Sequence, residues 1–366
     1  MDSIAPPEDE QFANAIDASD EAIIYQNTNH SFDAKSISDE DDAFEMTPEE
    51  RDLQEEIYRM CPEIQDCIDN RPDVTDIDMD GYGNIFIKSI NKNEKSEYDF
   101  LVRMKRSDAE KIILSYGAMR GHSFNERSSL KTLWVGGHRA VLIYGDVVDG
   151  PMFHIRIARN RSPRLLDMID QGSVTKNQAA TMVHAIRNHK NIIFCGLPGS
   201  GKTTIQLALG KAYTEVPWLV IIVDPQQELR IKCPNVRRVY PKANYSEIDA
   251  LDDALLRDPG AIGYGEVRLG PSGVQLIRVW MTGVCGSFCT VHADSVESVL
   301  PRFATFYREC NMEPVYSDLA QTIHYIVHCV PQRVGTDRKF QIQRMARVES
   351  EPFPKSLEDF HYIDIP

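Results

Sequence analysis

The chain has 366 residues, 42% of them hydrophobic and 26% charged, with a formal charge of −15; that is too long for one ordinary core and suits two soluble domains. The charge is uneven: residues 1–50 hold 15 Asp or Glu and one basic residue, Lys35, whereas the other 316 residues carry 40 acidic and 39 basic groups. A dominating basic field for nucleic acid is thereby excluded and no direct nucleic-acid contact is expected, although a local basic face is still allowed.

The opening residues, Met1-Asp2-Ser3-Ile4-Ala5-Pro6-Pro7-Glu8, have neither the basic nor the apolar region of a signal peptide. No apolar run approaches the roughly 20 residues of a membrane span; the best, Trp218 to Val223, has six. Eight cysteines without a CxxC pair read as reduced thiols of a cytoplasmic protein. Cys285 and Cys289 lack a second ligand pair nearby, so they read as small buried residues before they read as metal ligands.

Residues 1–46 mix Asp, Glu, Ser, Asn and Ala with few periodic apolar positions, which predicts a disordered acidic arm. It reads as a solvated tail, with a partner-recruiting motif as the alternative. Thr47-Pro48-Glu49-Glu50 combines Thr as N-cap, Pro at N1 and Glu at N3, so a helix starts there and runs towards Cys61-Pro62. Val74–Met79, a turn at Asp80-Gly81-Tyr82-Gly83 and Asn84–Ile87 predict a β-hairpin. A helix near 106–119 and strands near 131–135, 138–146 and 151–158 complete a small N-terminal α+β domain over 47–158. Residues 159–170, with Arg159-Asn160-Arg161-Ser162-Pro163, read as a linker.

From 171 the pattern changes to that of a C-terminal α/β domain. Asp167 to Lys190 reads as one helix, with a capping box at Thr175 and Gln178. Apolar runs at Ile192–Cys195, Leu219–Val223, Ala261–Tyr264 and Ser287–Val291 alternate with helices, which predicts a mostly parallel, twisted sheet. Between the first of these runs and a helix over Thr204–Tyr213 lies Gly196-Leu197-Pro198-Gly199-Ser200-Gly201-Lys202-Thr203-Thr204, a full match to the P-loop pattern in its strand–loop–helix context. Glycines let the backbone N–H groups wrap a phosphate, Lys202 opposes β/γ-phosphate charge, and the Thr203 hydroxyl is placed for Mg²⁺. ATP and Mg²⁺ are thus the expected ligands.

Glu266 emerges at the C-terminal end of an apolar strand, where parallel sheets bind ligands; its carboxylate would polarise the attacking water or hold Mg²⁺ through water. Asp224 and Glu228 follow the Leu219–Val223 run and would lie near the metal, with solvated loop charges as the alternative. His292 follows a strand, where a lone histidine is often only a satisfied polar contact.

Several segments together resemble the traffic ATPases of type IV secretion, type II secretion and type IV pili. Leu256 to Arg268, ending in Gly265-Glu266-Val267-Arg268, looks like their Walker-B-type segment. Thr282 to Ala293 looks like their histidine box, and Val223-Asp224-Pro225-Gln226-Gln227-Glu228-Leu229 like their aspartate box. Val74-Thr75-Asp76-Ile77, Gly136-Gly137-His138-Arg139 and His154-Ile155-Arg156-Ile157 resemble landmarks of their N-terminal domain. The resemblance implies a RecA-like P-loop domain, a homohexameric ring and Mg²⁺-dependent ATP hydrolysis, with His292 of the histidine box sensing the γ-phosphate. It also implies work at the cytoplasmic face of the inner membrane, with a secretion channel and a coupling protein as partners.

Two departures bear on the mechanism. Val284 stands where the family usually has a second histidine, and aligning on Glu228-Leu229 puts Pro225 where it usually has an Asp. Arg139 and Arg156 match family arginines that reach towards nucleotide, with generic surface arginines as the alternative; Arg257 and Arg268 are further candidates for contacts in trans. The short chain without a tetracysteine insert favours the compact secretion type over a pilus-retraction type. A nucleic-acid motor and a small-molecule P-loop kinase are the readings from other classes.

Overall fold

The computed structural model describes residues 47–366 apart from 72, 90–97, 126–127, 135–137, 158–163, 232, 243 and 335–336. The acidic arm and most of the expected linker therefore lie outside the described residues. Among those described, no helix is long and apolar enough to cross a membrane. The chain divides into two compact units, with residues 47–157 in the first and residues 164–332 and 339–366 in the second.

In the first unit, α1 (Pro48–Met60) starts at Thr47 with the capping box that the sequence predicts, closed by Glu50. Cys61 and Pro62 end it, and α2 (Pro62–Asp69) follows at once because proline suits a first helical turn. The hairpin forms as β1 (Val74–Met79) and β2 (Asn84–Ser89), paired antiparallel. β3 (Asp99–Arg103), which the sequence reading missed, adds to β2 with a register shift; its residues show no buried–exposed alternation to betray it. After α3 (Arg106–Met119) come β4 (Ser129–Trp134), β5 (His138–Ile143) and β6 (Met152–Arg156), giving the sheet order β3-β2-β1-β6-β5-β4. Ile77, Met79, Ile85, Phe153 and Ile155 alternate onto one face and pack with Ile57, Ile64, Ile112 and Tyr116 of the helices.

The second unit opens with two helices where the sequence suggests one. α4 (Leu165–Asp170) stops at Gly172, whose φ of 72° belongs to the left-handed region, and α5 (Lys176–Arg187) restarts from the Thr175/Gln178 capping box. Leu165 and Met168 are buried in the core, so this part of the expected linker is integral structure. Then follow β7 (Ile192–Cys195), α6 (Lys202–Gly210), a 3₁₀ turn (Lys211–Glu215), β8 (Val220–Val223), β9 (Val236–Val239), α7 (Glu247–Leu255), β10 (Ala261–Tyr264), β11 (Glu266–Val267), α8 (Gly270–Met281), β12 (Phe288–Val291), α9 (Val299–Glu309), α10 (Tyr316–Thr322), β13 (Tyr325–Val334), β14 (Asp337–Ser350) and β15 (Phe360–Ile365).

These strands form two mixed-order sheets, β10-β8-β9 and β11-β12-β7-β13-β14-β15. The pairs β10·β8, β8·β9, β11·β12, β12·β7 and β13·β7 are parallel, and β14·β15 is antiparallel. The Thr290 backbone N–H donates to Gly265 O at 3.0 Å, which ties the end of β10 to β12. Ile192 and Phe194 bury into one core, Ile193 and Cys195 into the other. Strands covered on both faces read as unbroken apolar runs, and that is why their sequences were legible.

Candidate active site

The ends of parallel strands place this site. β7, β8, β10 and β12 each run out at the same edge, and each is followed by a residue singled out in the sequence: Gly196, Asp224, Glu266 and His292.

Gly196 to Gly201 join β7 to α6. Gly201 is the N-cap of α6 at φ 88°, a conformation that side chains rarely adopt, and a Cβ there would run into the Phe340 ring. Gly196, Pro198, Gly199, Ser200 and Gly201 thus turn the backbone so that α6 presents its first N–H groups to the loop, a ready anion site. Lys202 folds back over it. Its Nζ donates to Gly196 O at 2.8 Å and to Leu197 O at 2.9 Å. Burial pushes the ammonium pKa down, against the carboxylates of Glu266 and Glu228, which favour the charge. Thr203, next on the helix, donates its hydroxyl to Glu228 Oε2 at 3.2 Å. Thr204 continues the first turn of α6.

Asp224 is buried rather than a solvated loop charge. It is 1% exposed, and its Oδ2 accepts the Leu229 N–H at 2.7 Å. Gln227 turns at φ 57° and donates its N–H to Asp224 O at 3.2 Å. Burial raises the Asp224 carboxyl to about 6, partly offset by the Leu229 N–H. A Cβ on Gly265 would approach Asp224 Oδ1 to 2.8 Å, so glycine there gives the carboxylate its room. Asp224 staples the turn, and the turn delivers Glu228 to Thr203.

Glu266 lies between a guanidinium and an imidazole. Arg268 Nη2 donates to its Oε2 at 2.6 Å, and His292 Nε2 stands 2.7 Å from its Oε1. Burial opposes ionisation, but the His292 and Arg268 contacts outweigh it and hold the carboxyl down at about 2. The other imidazole nitrogen of His292, Nδ1, lies 3.2 Å from Gly196 O, so one ring bridges the glycine loop and the carboxylate. Thr290 Oγ1 donates to Gly265 O at 3.0 Å, fixing the peptide before Glu266.

Sequence reasoning missed Gln206. This buried amide, one helical turn beyond Lys202, donates to Gly265 O at 3.3 Å and ties α6 to the Glu266 strand; a polar side chain beside the buried Ile205 and Leu209 was the available signal. The two further arginines lie at different places in this chain. Arg268 is engaged by Glu266 of its own chain. Arg257 precedes β10 and Glu266 follows it, so the two lie at opposite ends of that strand.

Arg139 and Arg156 belong to the first unit, facing each other on β5 and β6, and Asp76 on β1 is the partner of Arg156 in register. Asp76 is buried, with Arg156 Nε at 3.0 Å and His154 Nε2 at 3.3 Å. Burial would raise its pKa, but hydrogen bonding to His154 and the Arg156 charge depress it strongly. Hydrogen bonds to Asp76 and Asp78 lift His154 to about 9.

For a divalent cation, the Thr203 hydroxyl and the Glu228 carboxylate are hard oxygen donors at the head of a helix, which suits Mg²⁺ and leaves room for phosphate oxygens. Among the described residues, no group of three or more His, Cys, Asp or Glu forms a closed metal cage, and a site completed by phosphate does not need one.

Residues 146–350 match the model of the family described as type II/IV secretion system protein. A probable conjugal transfer protein TrbB of Sinorhizobium fredii is 28% identical over 237 residues, 62% of this chain and 72% of that protein. The conjugal transfer protein TrbB of Rhizobium radiobacter is 26% identical over 268 residues, 70% and 82% of the two chains. Among solved structures, the pilus retraction motor PilT with bound ADP superposes at a TM-score of 0.55 and 18% identity, covering 78% of this chain and 80% of that one. At that identity the likeness is one of fold.

Proposed function

Because the chain belongs to the type II/IV secretion system protein family, we propose that it hydrolyses ATP as the motor subunit of a type IV secretion or conjugation apparatus. The observation that carries this reading is the convergence, at one strand edge, of the glycine loop with Lys202, the Thr203–Glu228 pair and Glu266.

ATP phosphates would replace the Gly196 and Leu197 carbonyls as partners of Lys202, so the ammonium already sits where the charge arrives. Bound Mg²⁺ supplies neutralisation of the phosphate charge, with Thr203 and Glu228 as the groups that would hold it. Glu266 would orient the attacking water. A carboxylate held near 2 by its His292 and Arg268 contacts is a poor proton acceptor, so Arg268 must move off it before it acts as a base. The natural destination for Arg268 is the γ-phosphate, where cationic charge counts most in the transition state.

The family setting supports a homohexamer, at the cytoplasmic face of the membrane through channel and coupling subunits, with Arg139 and Arg156 reaching towards phosphate. The fold likeness to a retraction motor favours pilus retraction as the second reading. Phosphate release from ATP by the purified full chain, abolished by chelation of divalent cations, tests the activity. Loss of DNA transfer on deletion of the gene, with pilus-driven twitching intact, separates conjugation from retraction. No ATP turnover with Mg²⁺ present would remove the assignment.

A further inference from the structure

Residues 229–246 contain five basic side chains, Arg230, Lys232, Arg237, Arg238 and Lys242, and no acidic one. Within it β9 forms the end of the three-stranded sheet: β9 pairs with β8 on one side, and among the described residues the strand order stops there. Arg237, Arg238 and Lys242 are exposed. Arg237 donates Nη1 to Pro234 O at 2.7 Å and Val236 O at 3.0 Å. Arg238 lies 5.6 Å from the centre of the Tyr240 ring and donates to Leu229 O at 3.4 Å. Carbonyls and a ring are the contacts of Arg237 and Arg238 here, and Arg238 also lies within electrostatic reach of the Asp224 carboxylate. In a chain whose residues beyond 50 are otherwise balanced, this is a concentrated basic strip along an open sheet edge.

Charges on an edge strand can simply ward off foreign strands. The chain also carries a segment of opposite character. Residues 1–46 hold 13 acidic residues and one lysine. Their most strand-like run, Ile23-Ile24-Tyr25, joins β-branched and aromatic residues and follows Asp17, Asp20 and Glu21. An extended segment adds to an open edge through main-chain hydrogen bonds, with flanking side chains giving the selectivity. Tethering places it there at an effective concentration on the order of millimolar. We propose that residues 20–25 of the chain's own acidic arm dock along the outer edge of β9, with Asp17, Asp20 and Glu21 against Arg237, Arg238 and Lys242. This pairing does not depend on the ATPase reading.

Zero-length carbodiimide coupling of carboxylates to lysines in the full chain, mapped by mass spectrometry, tests it. Links from Asp17, Asp20 or Glu21 should fall on Lys232 or Lys242, and their yield should drop at least about fivefold between about 50 and about 500 mM NaCl. An Arg237→Glu/Arg238→Glu variant with an unchanged melting temperature should lose them to a similar degree. In wild type the amides of 22–25 should exchange at least about tenfold more slowly than in that variant. Links scattered over other lysines, links indifferent to charge reversal, or unprotected 22–25 amides would overturn the proposal. So would a labelled single-stranded oligonucleotide of about 20 bases that binds the full chain through Arg237 and Arg238 while arm links are absent; nucleic acid would then be the occupant.

Discussion

Opposite charges gather in both units, but they are aimed by different means. In the first unit Asp76, Arg156 and Arg139 stand in register on β1, β6 and β5, so the sheet ladder fixes their order and only their tips are adjustable. In the second unit Lys202, Glu228, Glu266, Arg268 and His292 sit on or beyond strand ends, and every contact they make is one that a ligand can replace. A buried carboxylate inside a ladder preserves shape. Carboxylates at strand ends hold places for an incoming charge.

The contrast predicts that removing the strand-end charges Lys202 and Glu266 costs function, whereas removing the ladder carboxylate Asp76 costs stability. The largest effect is expected for Lys202→Ala, which should lower kcat/KM for ATP by at least about 10³-fold without changing the melting temperature much; near wild-type turnover would show that the glycine loop is not the phosphate site. Glu266→Gln should keep ATP binding and reduce kcat by about 10² to 10⁴, read from single-turnover phosphate release beside nucleotide titration. If Arg268 relocates in the cycle, Arg268→Ala should depress kcat as well, although it frees Glu266.

Asp76→Asn sharpens the other half of the comparison. It should lower unfolding free energy by about 1–2 kcal/mol and bring the His154 titration down from about 9 towards its ordinary 6.5. The sign follows from linkage: a histidine raised in the folded state stabilises fully below 6.5, and that contribution disappears as pH rises through 9. Wild type should therefore lose stability between those values in denaturant titrations, and the variant should lose less.

The most discriminating effect concerns Asp224. Because its folded carboxyl is raised from 3.8 to about 6, it favours folding below 3.8 and that contribution is lost as pH passes 6. Asp224→Asn keeps an acceptor for the Leu229 N–H, so its stability relative to wild type should climb between pH 4 and pH 7, by up to about 3 kcal/mol. ATPase activity should survive. A folded but inactive variant with altered Mg²⁺ dependence would make Asp224 a metal-holding group instead of a staple.

What the sequence shows and what it hides divide along physical lines. The glycine loop and Glu266 follow continuous apolar runs, so local pattern locates them, whereas His292 stands out only through the family's histidine box. The α4–α5 break was hidden because Gly172 sits amid helix-compatible residues, and only its left-handed φ ends the first helix. Partners were less legible than positions. Arg156 meets Asp76 across 80 residues of chain, and nothing local distinguishes that from a surface arginine. Asp224 reads as near the metal from its place after the Leu219–Val223 run, but its burial and its hold on the Leu229 N–H are a matter of backbone geometry beyond residue spacing.

Gly196 O has a consequence for observing this molecule at work. That single oxygen faces two donors or ring nitrogens, Lys202 Nζ at 2.8 Å and His292 Nδ1 at 3.2 Å. When a phosphate draws the ammonium away, the carbonyl keeps only the imidazole, its bond stiffens, and its stretching frequency should rise. A ¹³C label at residue 196 would turn one peptide group into an infrared reporter of phosphate occupancy, distinct from the turnover that activity assays read.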